Sequence, residues 1–182
     1  MKNKICEIIA WKYKQYSHAC PSENDYESIW WNPENDIPKP SLYEIEQVDS
    51  EYSSFLQIKS FENLKNSKIS QLKLNLELQN NKPCLVKVGD VEFLIKKEDE
   101  ITIGRRIKRL SALPSGSTAE WSNSSNERLD LTLPQFEELL RTLQNHLDVR
   151  DEQNFAIYFP IKKEIEAALT IEELNDININ FN

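Results

Sequence analysis

The sequence predicts an α+β protein: a small β-rich module over residues 1–40, a long connecting helix over 41–81, and a C-terminal domain over 82–182 made of a β-hairpin and helices. Three observations carry this prediction. Residues 41–79 contain neither glycine nor proline and place apolar side chains at helical spacing. "CLVKVGDVEFLIKK" alternates with period two about a Gly-Asp turn. "RLDLTLPQFEELLRTLQNHL" passes from strand alternation into the apolar stripe of a helix.

In the first forty residues, "CEIIAWKY" reads as a strand and "YESIWW" as a second, bounded by the turn formers of "PSEND" and "NPENDIPKP". Trp30 and Trp31 are adjacent, so in a strand they point to opposite faces. The outward ring is either a partner contact or is buried under the long helix. Ser41 followed by Glu44 is a capping box, in which each side chain satisfies a backbone N–H of the other residue, so a helix is expected to start here. Val48, Phe55, Ile69 and Leu76 recur on a seven-residue register interrupted at Glu62, with Ile45 and Tyr52 on the adjacent row. That pattern predicts a helix kinked near Lys59–Ser60, packed on its own chain or forming a seam with another subunit. Phe55 and Ile69 are its candidate partner-binding residues.

Beyond the hairpin, "DEITIGRRIKRLSAL" reads as a helix with Ile103, Ile107 and Leu110 on one face. "PSGST" ends it. Trp121 and the alternating "RLDLTL" make a further strand, and Thr132 with Gln135 forms a second capping box. Pro134 sits in the first helical turn, where its missing N–H costs nothing. Phe136, Leu139, Leu140, Leu143 and Leu147 share one helix face, and another helix follows through Ile157, Ile161, Ile165 and Leu169. A third capping box, Thr170 with Glu173, precedes "NDININFN". There Ile177, Ile179 and Phe181 alternate with Asn178, Asn180 and Asn182, as in a strand with one apolar face. Three large apolar residues so placed call for a receiving surface, either the hairpin near Leu85–Ile95 or the sheet edge of a neighbouring subunit.

Composition narrows the function. A net charge of −8 disfavours nucleic acid and anionic membranes as partners, and the first residues lack the apolar core and cleavage site of a signal peptide. Only three glycines occur, against about thirteen at the usual ~7%, and neither a GxGxxG nor a Walker sequence is among them. No nucleotide cofactor is expected. Cys6, Cys20 and Cys84 form no CxxC and read as free thiols. His18 and Cys20 are two possible zinc ligands where such a site takes four, so no metal is expected. His146 lies off the apolar helix stripe and reads as a surface histidine rather than a general base. "GRRIKR" lacks the neighbouring aromatics of an RNA-stacking surface and reads as a solvated helix face. The acids of "SENDYE" and "NPEND" lack the glycine of a calcium loop, and the sequon at Asn123 has no signal peptide ahead of it. No pair of carboxylates set across a cleft is evident, and no catalytic residue is assigned.

Residues from about Leu85 to Ile179 resemble an uncharacterised domain found near the C-termini of tailed-phage tail fibre and tail-associated proteins. The likeness lies in the order of a short hairpin, the helix "DEITIGRRIKRLSAL", a lone Trp with a polar turn ("EWSNSSNERL"), "LTLPQFEELLRTLQNHL", and the closing "EIEAALTIEELNDI". The turn "SNSSNER" departs from the family's usual Asp and Asn after the Trp, and the helices are richer in Lys, Glu and Asn. "DYESIWWNPENDIPKPSLYEIE" resembles small phage tail proteins in which a Trp-bearing strand and a Pro-rich hinge precede a long helix. The resemblance implies a non-enzymatic virion component of a phage tail, made in the host cytoplasm and held at the baseplate or a fibre. The alternative it leaves is a tail fibre assembly chaperone. Its implied partners are other tail proteins and further copies of the chain, met through Trp30, Trp31, Phe55, Ile69, Ile177, Ile179 and Phe181.

Overall fold

The structure, a computed structural model, describes residues 4–181. The protein is α+β, with two compact units, one ending at Leu64 and the other beginning at Lys65. That boundary falls inside the segment expected to be one connector.

The first unit opens with helix α1 (Ile5–Lys12), not the expected strand. The run "ICEII" has β-branched residues that favour strands, but Ile5, Ile8 and Ile9 fall at i, i+3 and i+4 and all three are buried. Strands β1 (His18–Ala19) and β2 (Trp30–Trp31) are two residues each and pair antiparallel, so the module holds one helix and a minimal ladder. Helix α2 (Leu42–Gln47) starts at the Ser41–Glu44 capping box. The Ser41 backbone and hydroxyl donate to the Glu44 carboxylate at 2.7 and 2.8 Å, which holds that carboxyl below its ordinary range. The helical run breaks at Val48, and α3 (Asp49–Asn80) continues through Glu62. Ile45 and Tyr52, the row beside the seven-residue register, join Ile5, Ile8, Ile9 and Ile29 in the first core.

The second unit contains the hairpin of β3 (Cys84–Val88) and β4 (Val91–Ile95). Gly89, at φ +60, takes the first position of its two-residue turn, where a side chain would be strained. Alternation sorts the faces: Cys84, Val86, Val88, Phe93 and Ile95 are buried, while the cross-strand pair Leu85 and Leu94 faces out. Helix α4 (Asp99–Ser111) buries Ile103 and Leu110 as its spacing predicts. A second hairpin follows, β5 (Thr118–Ser122) with β6 (Arg128–Thr132), so "TAEWS" is itself a strand paired with "RLDLT".

Helix α5 (Leu133–Ala167) begins where expected, with the Thr132 backbone and hydroxyl both donating to Gln135 Oε1 at 2.9 Å. Its face of Phe136, Leu139, Leu143 and Leu147 closes the core over β3, β6 and α4. The two helices expected here are one. Pro160 lies inside α5 and removes a backbone donor, at a cost of ~3 kcal/mol, yet the helix runs on and buries Tyr158 and Ile165 beyond the stripe. Leu169, expected to extend that stripe, is exposed, because Ala168 already leaves helical geometry at ψ 135. Helix α6 (Ile171–Asp176) is capped by Thr170 and Glu173.

The last described residues do not form a strand on the hairpin. Ile177, Ile179 and Phe181 are part-buried and the intervening asparagines exposed, as the alternation demands, and the segment runs beside α3. Asn75 Nδ2 donates to the Ile179 carbonyl at 3.0 Å, and Lys68 Nζ donates to the carbonyls of Leu174 and Asn175. Helix ends leave carbonyls without partners, and α3 supplies amide and ammonium donors to this segment where a sheet edge would have supplied backbone. Asn182 lies outside the described residues.

The C-terminal end of α3 has a partner of its own. Arg150 of α5 donates to the carbonyls of Asn80 and Lys82, and Asn154 Nδ2 donates to Asn80 Oδ1 at 2.6 Å. A guanidinium at a helix C-terminus satisfies free carbonyls and complements the helix dipole. Arg150 Nε is buried without a hydrogen bond, which offsets part of that gain. Arg150→Ala is therefore expected to cost about 1–2 kcal/mol in urea denaturation, with Lys at 150 recovering only part of it. Parent-like unfolding of the Ala variant would remove this contact from the account.

Candidate functional site

Two concave surfaces, one in each unit and lined by that unit's own residues, carry aromatic side chains. In the first unit, α1 and the start of α3 meet across Trp11, Tyr52 and Phe55, whose ring centroids lie 5.3 to 6.1 Å apart. They line a groove of about 500 Å³ with Lys14 and Lys59, and Lys59 Nζ stands 5.9 Å from the Phe55 ring. Lys12 is held by Glu51 at 2.9 Å. Burial, and then the Glu7 carboxylate, raise the Tyr52 phenol above its ordinary value.

Trp30 and Trp31 separate as their adjacency requires. Trp30 is 51% exposed. Trp31 turns inward, donates from Nε1 to the Ile37 carbonyl at 3.0 Å, and packs on Tyr13, Tyr16 and His18. It is part-buried against the first core, and of the two rings Trp30 is the one open to a partner. His18 stacks on Trp31 and its Nδ1 lies 2.8 Å from the Tyr16 carbonyl, so it serves the aromatic cluster. Cys6 hydrogen-bonds the Ser22 carbonyl, and burial, reinforced by Cys20, pushes its thiol up to about 12. It is protonated at neutral pH.

Of the other partner-binding candidates, Phe55 is part of the groove and Ile69 is part-buried in the second unit. Their shared register does not make them one surface. Ile177, Ile179 and Phe181 are part-buried, and the Ile179 carbonyl is held by Asn75 of α3. The groove itself was hidden in the sequence, because Trp11 reaches it only from a helical α1.

In the second unit a cleft of about 530 Å³ lies beside β5, walled by Trp121 and by Arg106 and Asp99 of α4. Trp121 is part-buried, packs on the core, and meets Phe136 edge-on at 6.0 Å and 90°. It does join the strand pair to the following helix, as its position suggests, but one part of the ring faces the cleft. The turn below it is fixed by Asn123. Its Oδ1 accepts from the N–H groups of Ser125 and Glu127 at 3.0 and 2.8 Å, and its Nδ2 donates to Glu127. Ser124 N–H donates to the Glu92 carbonyl at 2.9 Å, tying the turn to the first hairpin. Asn126 takes φ +62, a left-handed conformation that asparagine tolerates.

Among the described residues, no three His, Cys, Asp or Glu side chains gather as a metal site requires, and no helix is long and apolar enough to cross a membrane. His146 is exposed on α5. Compared with known proteins, the chain matches no family model, no curated protein and no solved structure.

Trp121→Ala is expected to cost about 2 kcal/mol in urea denaturation, less than the ~3–5 kcal/mol of a fully buried tryptophan. Unfolding like the parent would mean that the ring serves the cleft and not the core.

Proposed function

We propose that the protein is a non-enzymatic structural component of a phage tail, carried at the baseplate or on a fibre. The observation that carries this reading is the aromatic surface of the first unit. Phe55, at the mouth of the groove whose floor is the buried Tyr52, and the half-exposed Trp30 leave large rings open to solvent, and such rings anchor protein interfaces. A folded unit gains nothing internally from an exposed indole, whereas a partner that covers it removes apolar area from water at ~25 cal/mol per Å².

The second unit is consistent with the reading. Its order of hairpin, α4, Trp-bearing hairpin, capped α5 and closing α6 is the order on which the resemblance to tail-associated domains rests. The partners are accordingly other tail proteins, with homo-oligomerisation through the same surface as a further route.

Mass spectrometry of purified particles tests this. The protein is expected at stoichiometric abundance, and Trp30→Ala combined with Phe55→Asp is expected to remove it from the particle while preserving its melting temperature. Absence of the parent protein from particles would favour the assembly chaperone instead.

A further inference from the structure

We propose that the cleft beside Trp121 binds an acidic saccharide. The inference stands on the cleft alone and does not require a place in a phage tail. Its volume of about 530 Å³ falls within the ~300–1,000 Å³ typical of small-molecule sites.

Besides Leu94 and the residues 122–124 of the turn, the lining has two kinds of group. One is the indole of Trp121, whose tilt is set by its edge-on contact with Phe136. The other is a set of planar polar side chains: Arg106, Asp99, Asn126, and the Glu120–Arg128 pair, joined at 3.3 Å. A sugar ring carries a C–H face and a rim of hydroxyls. The face stacks on an indole, and adjacent hydroxyls take paired hydrogen bonds from carboxylates, carboxamides and guanidinium groups. A wholly apolar ligand would strand these polar groups. A polyphosphate would bring several negative charges against the carboxylates of Asp99 and Glu120, whereas a single sugar carboxylate needs only the Arg106 guanidinium.

Three of the lining groups have unused bonding capacity. Among the described residues, the Trp121 Nε1–H, the Asn126 carboxamide and the Arg106 guanidinium make no hydrogen bond or ion pair. Arg106 is part-buried, and an unpaired guanidinium at such a depth in a protein of net charge −8 gains from a carboxylate. This selects an acidic sugar over a neutral one. The site is also organised before binding, because the Asn123 hydrogen bonds and the Ser124–Glu92 tether fix the turn that carries Asn126.

The experiment follows the Trp121 indole N–H by NMR in the full chain, identified by its loss in Trp121→Phe. The probes are a panel of uronate-containing, sialylated and neutral oligosaccharides at millimolar concentration, together with an acidic peptide. The Trp121 resonance is expected to move with an acidic oligosaccharide and to need roughly tenfold more of its neutral counterpart, or of the same ligand with Arg106→Gln, as one charge-assisted hydrogen bond implies. Arg106→Gln is expected to melt like the parent. A resonance unmoved by every saccharide, moved equally by acidic and neutral ones, insensitive to Arg106→Gln, or moved only by the peptide would overturn the proposal.

Discussion

A two-stranded hairpin has one face to cover and too little structure of its own to stay folded in water. The second unit holds two such hairpins, and the stripe of Phe136, Leu139, Leu143 and Leu147 on α5 covers both. Val86, Phe93 and Ile95 of the first hairpin and Leu131 of the second share one buried cluster with that stripe, and α4 adds Ile103 and Leu110. Everything placed on this unit depends on that burial. Trp121 takes its tilt from Phe136, a residue of the stripe, and the turn below it is tethered to β4 through Glu92.

The second half of α5 carries a different load. Proline at 160 and the buried Arg150 Nε are both unfavourable locally, and they persist because Tyr158 and Ile165 are buried and because Arg150 answers the carbonyls at the end of α3. The residues of α3 from Lys65 onward, α6 and the terminal segment complete the arrangement through side-chain donors to carbonyls, with Leu72 and Leu174 fully buried. In the first unit the same economy of small elements holds, with α1, a two-residue ladder and α2 gathered around Ile8, Ile9 and Ile45.

Where local chemistry decides, the sequence was legible. The three capping boxes, the Gly-Asp hairpin, the face of α4 and the stripe of α5 all formed where spacing placed them. Where tertiary packing decides, it was not. "ICEII" satisfies strand propensity and helical spacing together, and only the shared burial of Ile5, Ile8 and Ile9 selects the helix. The break at Val48 has no glycine or proline to announce it. The alternation of Ile177, Ile179 and Phe181 foretold which side chains are covered, but a period-two pattern says nothing of whether a strand or a helix covers them. The polar turn after Trp121 was visible, whereas Arg106 joins it only once α4 lies alongside β5. Both concave surfaces, and with them the readings of partner and ligand, rest on such long-range placement.

The dependence of the hairpins on α5 is tested most directly by native-state amide hydrogen exchange in Leu139→Ala. The account predicts that the amides of β3 and β4 lose protection by the same free energy as those in the first half of α5, because hairpin and helix open as one unit. Hairpin amides that keep their parent protection while α5 loosens would contradict it.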